Sequence, residues 1–216
     1  AQAIGADYHN SQGQQMKTGT VGHIGCTSFF PSKNLGCYGD GGALYTDDDV
    51  LAAKIKMIAN HGQSRQYYHD ILGVNSRLDA IQAAILRIKL KRLDRYCEAR
   101  RRAADYYDDA FYHTDEITTP LRSEYSTHVF HQYTMQVPPA DREALRAHLA
   151  ALDIPSMVYY PVPLYRQKAY EKFCDEGIDF VNTEMLCASV ISIPMHSELD
   201  RKILEYITEG VLSYFS

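Results

Sequence analysis

Ser28-Phe29-Phe30-Pro31-Ser32-Lys33-Asn34-Leu35-Gly36, followed by Gly39-Asp40-Gly41-Gly42-Ala43, is the stretch on which the reading of the whole chain turns. A β-prone run, Cys26 to Phe30, breaks at Pro31, and a second, Ala43 to Thr46, follows the glycine-rich turn. A lysine in such a turn, framed by glycines that let backbone approach a ligand, has the chemistry for a Schiff base, because partial burial makes an amine nucleophilic. The same spacing also fits an ordinary surface lysine, which is the commoner case.

Upstream, residues 9–22 (HNSQGQQMKTGTVG) hold three glycines among polar side chains and read as a hairpin-like surface excursion. Downstream, Asp47 to Asp49 supply an N-cap and acidic first turn for a helix through Ile58, with Val50, Leu51, Ile55 and Ile58 at helical spacing. A loop from Gln63 to Ser76 leads to a long helix starting near Asp79, where Ile81, Ala84, Ile85 and Ile88 repeat at i, i+3, i+4 and i+7 and Leu93 follows. Beyond about residue 114 the pattern changes to an alternating strand, HVFHQYTMQV, closed by Pro138-Pro139. A helix from Asp141 to about Leu152 then feeds the β-prone DIPSMVYYPVPLY. Strand, helix and strand after a linking helix predict a second, smaller α/β lobe.

Composition narrows the function classes. With 45% hydrophobic and 23% charged residues, the 216-residue chain has the make-up of a globular protein. Its net charge of −5 opposes non-specific attraction to phosphate backbones, so nucleic acid is not an expected partner. No stretch approaches the roughly 18 consecutive apolar residues of a membrane span, and AQAIGADYHN lacks a signal peptide's basic and apolar regions, so a cytoplasmic location and no membrane partner are expected. Five scattered cysteines without a C-x-x-C pair fit neither a disulfide framework nor a zinc site. His61, His128 and His131 sit in separate segments without ligand spacing and read as structural or loop residues, with no metal expected.

TSFFPSKNLGCYGDGGA, with AQAIGA before it and GVNSRLD after it, resembles the pyridoxal-phosphate-dependent nucleotide-sugar aminotransferases of the DegT/DnrJ/EryC1/StrS group. HVFHQYTMQV, YYPVPLY and SVISIPMHSEL follow in the same order, so the resemblance runs nearly end to end. It implies an α/β chain of the PLP-dependent transferase fold type I, aspartate-aminotransferase-like. Residues 1–95 would be the C-terminal part of the large cofactor domain with its linking helix, and 96–216 the small C-terminal domain.

The resemblance also implies roles. Lys33 would form the Schiff base with pyridoxal 5′-phosphate and move the proton, so that covalent and acid/base catalysis share one amine. Ser28 would hold the cofactor phosphate and Gln2 would approach the ring hydroxyl. Asn75 would reach a partner subunit's cofactor phosphate, which implies a homodimer with shared active sites. Arg77, whose fork suits a carboxylate, would grip a hexuronate, and Tyr159 and Tyr160 would line the sugar site. Without the resemblance, Ser28 reads as a strand-end cap, Asn75 as a helix cap, Arg77 as a surface arginine paired with Asp79 or Asp70, and the tyrosines as core.

Two departures stand out. Tyr165 occupies the place where the family commonly has histidine. The family aspartate that pairs with the pyridine nitrogen falls three residues before Gln2, just upstream of Ala1. The chain is therefore expected to be the C-terminal part of a longer protein and, alone, to bind cofactor poorly and catalyse little. The motif is most similar to the branch aminating C3 of UDP-2-acetamido-2-deoxy-3-oxo-glucuronate in surface polysaccharide synthesis, with glutamate the expected amino donor and a nucleotide sugar the acceptor. A 4-keto-sugar or dTDP-sugar aminotransferase, or a non-catalytic binding paralogue, are the alternatives. Lys33 disfavours the dehydratase relatives, which carry histidine there.

Overall fold

Asp7 and Lys17 face each other across the first hairpin, formed by β1 (Asp7–His9) and β2 (Gln15–Lys17), and close an ion pair at 2.6 Å. The turn between them is held by Asn10 Oδ1, which accepts from the backbone N–H groups of Gln12 at 3.0 Å and Gln14 at 2.9 Å. Asparagine suits this place because its side chain can mimic a backbone turn. The excursion read over residues 9–22 is thus an ordered hairpin in the computed structural model, which describes residues 1–174 and 179–216.

β3 (Gly25–Ser28) and β4 (Gly42–Tyr45) pair antiparallel with Ser28 opposite Gly42. Next comes α1 (Asp49–Ala59), started by Asp48, whose carboxylate accepts from Val50 N at 2.8 Å and Leu51 N at 3.0 Å. Two of the orphan donors at the helix start are satisfied in this way. The following loop contains a short hairpin, β5 (Gln63–Arg65) with β6 (Tyr68–His69).

The single long helix expected from Asp79 is two helices, α2 (Ala80–Leu90) and α3 (Leu93–Phe111). Arg92 N donates to Lys89 O at 2.9 Å, a tightened turn that ends α2 while the apolar spacing runs on uninterrupted.

By internal contacts the chain forms two units. Unit 1 is Ala1–Glu98 with Arg122–His131, and unit 2 is Ala99–Leu121 with Gln132–Ser216. Unit 1 is built on Ala6, Phe29, Leu35, Cys37, Leu86, Leu93, Cys97 and Val129, all buried in one cluster. Each large side chain sequestered there contributes about 1.5–3 kcal/mol. The lysine turn is therefore anchored by its own apolar members, Phe29, Leu35 and Cys37.

Unit 2 takes the rest of α3, then β7 (Tyr133–Gln136), α4 (Arg142–Ala151), α5 (Val181–Ser189), β8 (Val190–Ile193) and α6 (Arg201–Leu212). β7 pairs antiparallel with β8, Tyr133 opposite Ile193, and both strands are buried on at least one face. Leu204, Ile207, Thr208 and Val211 form the buried stripe of α6, at i, i+3, i+4 and i+7. Tyr107 donates to Pro194 O at 2.8 Å and Tyr133 to Asp108 Oδ1 at 2.6 Å, which lets two fully buried phenols keep their hydroxyls satisfied.

Two strand expectations shorten. HVFHQYTMQV is strand only from Tyr133, and in DIPSMVYYPVPLY a single residue, Met157, bridges to Ser192. Pro155, Pro161 and Pro163 remove the ladder donors that a longer strand would need.

Candidate active site

Phe30 organises the lysine turn. Its N–H donates to Ser28 Oγ at 3.2 Å, and its carbonyl accepts from Lys33 N at 2.8 Å, so the serine and the lysine are tied into one bend at the end of β3. The bend is closed from beyond the lysine by Cys37, whose N–H donates to Phe29 O at 2.8 Å. Gly36 sits where the chain doubles back: a Cβ there would press on Pro31 O and lie 2.8 Å from Phe30 O. Only glycine fits that approach. Gly42 is similar, with a Cβ 2.8 Å from Thr27 O across the strand pair.

The Lys33 side chain is half-buried, and its Nζ lies 3.5 Å from His131 Nε2, 98 positions along the chain. The neighbouring Asn34 is buried and donates from Nδ2 to Val129 O at 2.8 Å. The segment carrying that carbonyl has an unusual backbone: Phe130 adopts φ 41°, rare for a bulky residue, and its N–H donates to His128 Nδ1 at 2.9 Å. Burial, and then the Arg122 guanidinium, hold the His128 pKa below its ordinary value, which keeps the imidazole neutral and its Nδ1 available as acceptor.

The remaining expected residues divide between the units. In unit 1, Gln2 is exposed beside β3, where the Ala1 amine donates to Cys26 O at 3.3 Å. Asn75 is exposed and pairs by an isolated bridge with Asn60 at the end of α1. Arg77 lines a cleft of about 490 Å³ together with Thr27, Asp40, Gly41 and Gly42, on the β3–β4 hairpin. In unit 2, Tyr159 and Tyr160 are consecutive, their rings edge-on with centroids 5.7 Å apart and Tyr160 exposed. The Tyr165 hydroxyl donates to the Glu184 carboxylate, which also pairs with Arg166 at 2.7 Å.

Ser28 and Lys33 are thus brought together by local bonds, and Arg77 shares a cleft wall with the strands that carry them. Among the described residues, no hydrogen bond joins Asn75 or Gln2 to the lysine. Asn34 and His131, the latter read from the sequence as a structural or loop residue, both make contacts beside the lysine. Local pattern gives no signal for either contact, since each joins residues nearly 100 positions apart.

Residues 1–212 match the model of the DegT/DnrJ/EryC1/StrS aminotransferase family. The chain belongs to that family. A "UDP-2-acetamido-2-deoxy-3-oxo-D-glucuronate aminotransferase" from Pseudomonas aeruginosa is 41% identical over 96% of this chain and 55% of its own length. A "pleiotropic regulatory protein" from Geobacillus stearothermophilus is 40% identical over 100% of this chain and 56% of its own. Among solved structures, a DegT/DnrJ/EryC1/StrS aminotransferase from Brucella abortus superposes with a TM-score of 0.90 at 36% identity, covering 99% of this chain and 55% of that one. The chain therefore has the α/β fold of this aminotransferase family and spans about half the length of the curated relatives it matches.

Pyridoxal 5′-phosphate is the family's cofactor. The residues of the turn suit it: an amine on a half-buried bend for the aldehyde and a hydroxyl at a strand end for the phosphate, on a turn whose glycines let it close on its own backbone. Among the described residues, no group of three or more His, Cys, Asp or Glu side chains is placed to hold a metal ion, and no helix is long and apolar enough to cross a membrane.

Proposed function

We propose that this chain belongs to a pyridoxal-phosphate-dependent aminotransferase that moves an amino group from an amino acid, glutamate by expectation, to a keto-sugar nucleotide. UDP-2-acetamido-2-deoxy-3-oxo-glucuronate is the favoured acceptor, because the 41% identical Pseudomonas relative carries that description. The observation that supports the reading best is the bend holding Ser28 and Lys33 together through Phe30.

When bound, the cofactor supplies an aldehyde that accepts an amino group and a ring that spreads the resulting electron pair. The chain's own residues do the rest. Lys33 Nζ would hold the aldehyde carbon between turnovers and, once displaced, would take a proton from the carbon on one side of the transferred nitrogen and return it to the carbon on the other side. Ser28 Oγ and the neighbouring backbone hold the phosphate. Gln2 approaches the ring hydroxyl and Asn75 serves a partner subunit's phosphate, so the working protein is a homodimer; a cytoplasmic location is the expectation from the sequence. Arg77 receives the hexuronate carboxylate as a two-point fork, and Tyr159 and Tyr160 bound the sugar.

A second reading is favoured by the relative described as a pleiotropic regulatory protein: a regulator that keeps the fold without turnover. One experiment separates them. The full-length protein and its Lys33→Ala variant are mixed with pyridoxal phosphate, and absorbance is followed before and after adding glutamate and borohydride. A borohydride-sensitive visible band that is lost in Lys33→Ala and shifts with glutamate supports the transaminase. A band that is absent, or that survives the substitution, overturns it in favour of the regulator.

A further inference from the structure

His131 lies on the lysine by design of the fold. Its Nε2 is 3.5 Å from Lys33 Nζ, at the outer edge of hydrogen-bond reach, a distance that commonly tightens once a site is filled. Three further features hold it there. Asn34 Nδ2, on the residue after the lysine, grips Val129 O, two residues before the histidine. Val129 and Phe130 are 2% and 1% exposed, so the segment is clamped by its own apolar side chains. Between them and His131 the backbone turns through the left-handed φ of Phe130, with His128 Nδ1 taking up the Phe130 N–H. Strain of this kind costs on the order of 1–3 kcal/mol and persists only where surrounding contacts determine it.

We propose that His131 is a positioning residue for Lys33: its neutral imidazole offers Nε2 as the acceptor that aims the lysine amine. The inference rests on the transaminase reading of Lys33. For Nε2 to accept from the amine, the ring carries its hydrogen on Nδ1. The amine then has one fixed direction rather than the several rotamers of a free lysine. When the amine is called on to take or return a proton, the same nitrogen accepts one of its N–H groups and keeps it on station.

The test uses the different reach of two amides. Glutamine places its terminal amide near the position of Nε2, whereas asparagine reaches only as far as Nδ1. The full-length protein and its His131→Gln and His131→Asn variants are incubated with pyridoxal phosphate and reduced with borohydride. Peptide mass spectrometry then reads how much pyridoxyl group sits on Lys33 relative to the other lysines, and near-ultraviolet circular dichroism reports packing.

The expected result is that His131→Asn lowers the Lys33 share about tenfold, the worth of one charge-assisted hydrogen bond, while His131→Gln keeps most of it. A merely structural imidazole would make the two variants alike. Equal shares in both, whether retained or lost, or retention in His131→Asn alone, overturn the inference and leave the function of Lys33 standing. If the native protein itself carries no pyridoxyl group on Lys33, the transaminase reading falls and this inference falls with it.

Discussion

Asn34 Nδ2 donates to the Val129 carbonyl at 2.8 Å, which pins the residue following Lys33 to a segment 95 positions later. Its other amide atom, Oδ1, is buried without a hydrogen-bond partner among the described residues. Truncating the side chain removes one bond and also one costly buried acceptor, so the two effects partly offset. Asn34→Ala is expected to lose about 1 kcal/mol, the low end for a buried hydrogen bond. Asn34→Asp, which sets a carboxylate against a carbonyl, should lose more. Urea unfolding of both variants checks the order.

Gly36 tests the tightness of the turn in the opposite sense, by adding an atom. The atoms a Cβ would meet are backbone carbonyls, which cannot swing aside as a side chain would. Gly36→Ala should therefore destabilise by about 2–3 kcal/mol despite alanine's smaller unfolded entropy, and should slow labelling of Lys33 by opening its bend. A variant as stable as the parent would show that the turn yields easily.

Protonation of His128 gives a pH dependence with a definite sign. Burial chiefly, and Arg122 next, depress its pKa below 6.5. Just under that value the unfolded chain binds a proton there that the folded chain refuses, so stability falls as the pH drops, and above it the group contributes no slope. His196 adds to the same trend through burial and Arg100, opposed in part by Glu198. The urea midpoint should decline between about pH 7 and about pH 5. His128→Asn, which preserves an acceptor near Nδ1 for Phe130 N, should flatten that decline.

Burial separates two isolated apolar truncations. Ile191 in β8 is fully buried, while Val50 at the start of α1 is 78% exposed. Ile191→Ala is expected to cost about 2–5 kcal/mol by the cavity it leaves, and Val50→Ala to stay within about 0.5 kcal/mol of the parent. Thermal melting of the two variants measures the contrast.

Much of this architecture is legible in local chemistry. The Asp47 to Asp49 run announced α1 and Asp48 caps it, and the Pro31 break with the following glycines announced the hairpin of β3 and β4. Where reading failed, a distant contact had overruled the local pattern. Residues 128–132 open the stretch read as a strand, yet Phe130 turns left-handed, with His128 taking its N–H and Asn34 its neighbour's carbonyl. The apolar spacing from Ile81 to Leu93 hides the break between α2 and α3, since one tight turn keeps the stripe nearly in phase. For the candidate site, the lysine and serine are singled out by the resemblance of their motif, whereas the histidine 3.5 Å from the lysine amine is brought there by a contact 98 positions away.

The return of Arg122–His131 to unit 1 has a bearing on biosynthesis. A ribosome adds roughly 5–20 residues per second, and domains generally fold as their last contacts emerge. The lysine turn is made early, but its acceptor at Val129 leaves the tunnel only after the intervening stretch of unit 2 has been translated. Until then Asn34 faces water, and unit 1 waits, incomplete, for a ten-residue strap synthesised out of turn. Nascent chains arrested before Phe130 should remain protease-sensitive around Pro31, and those released past His131 should become resistant there.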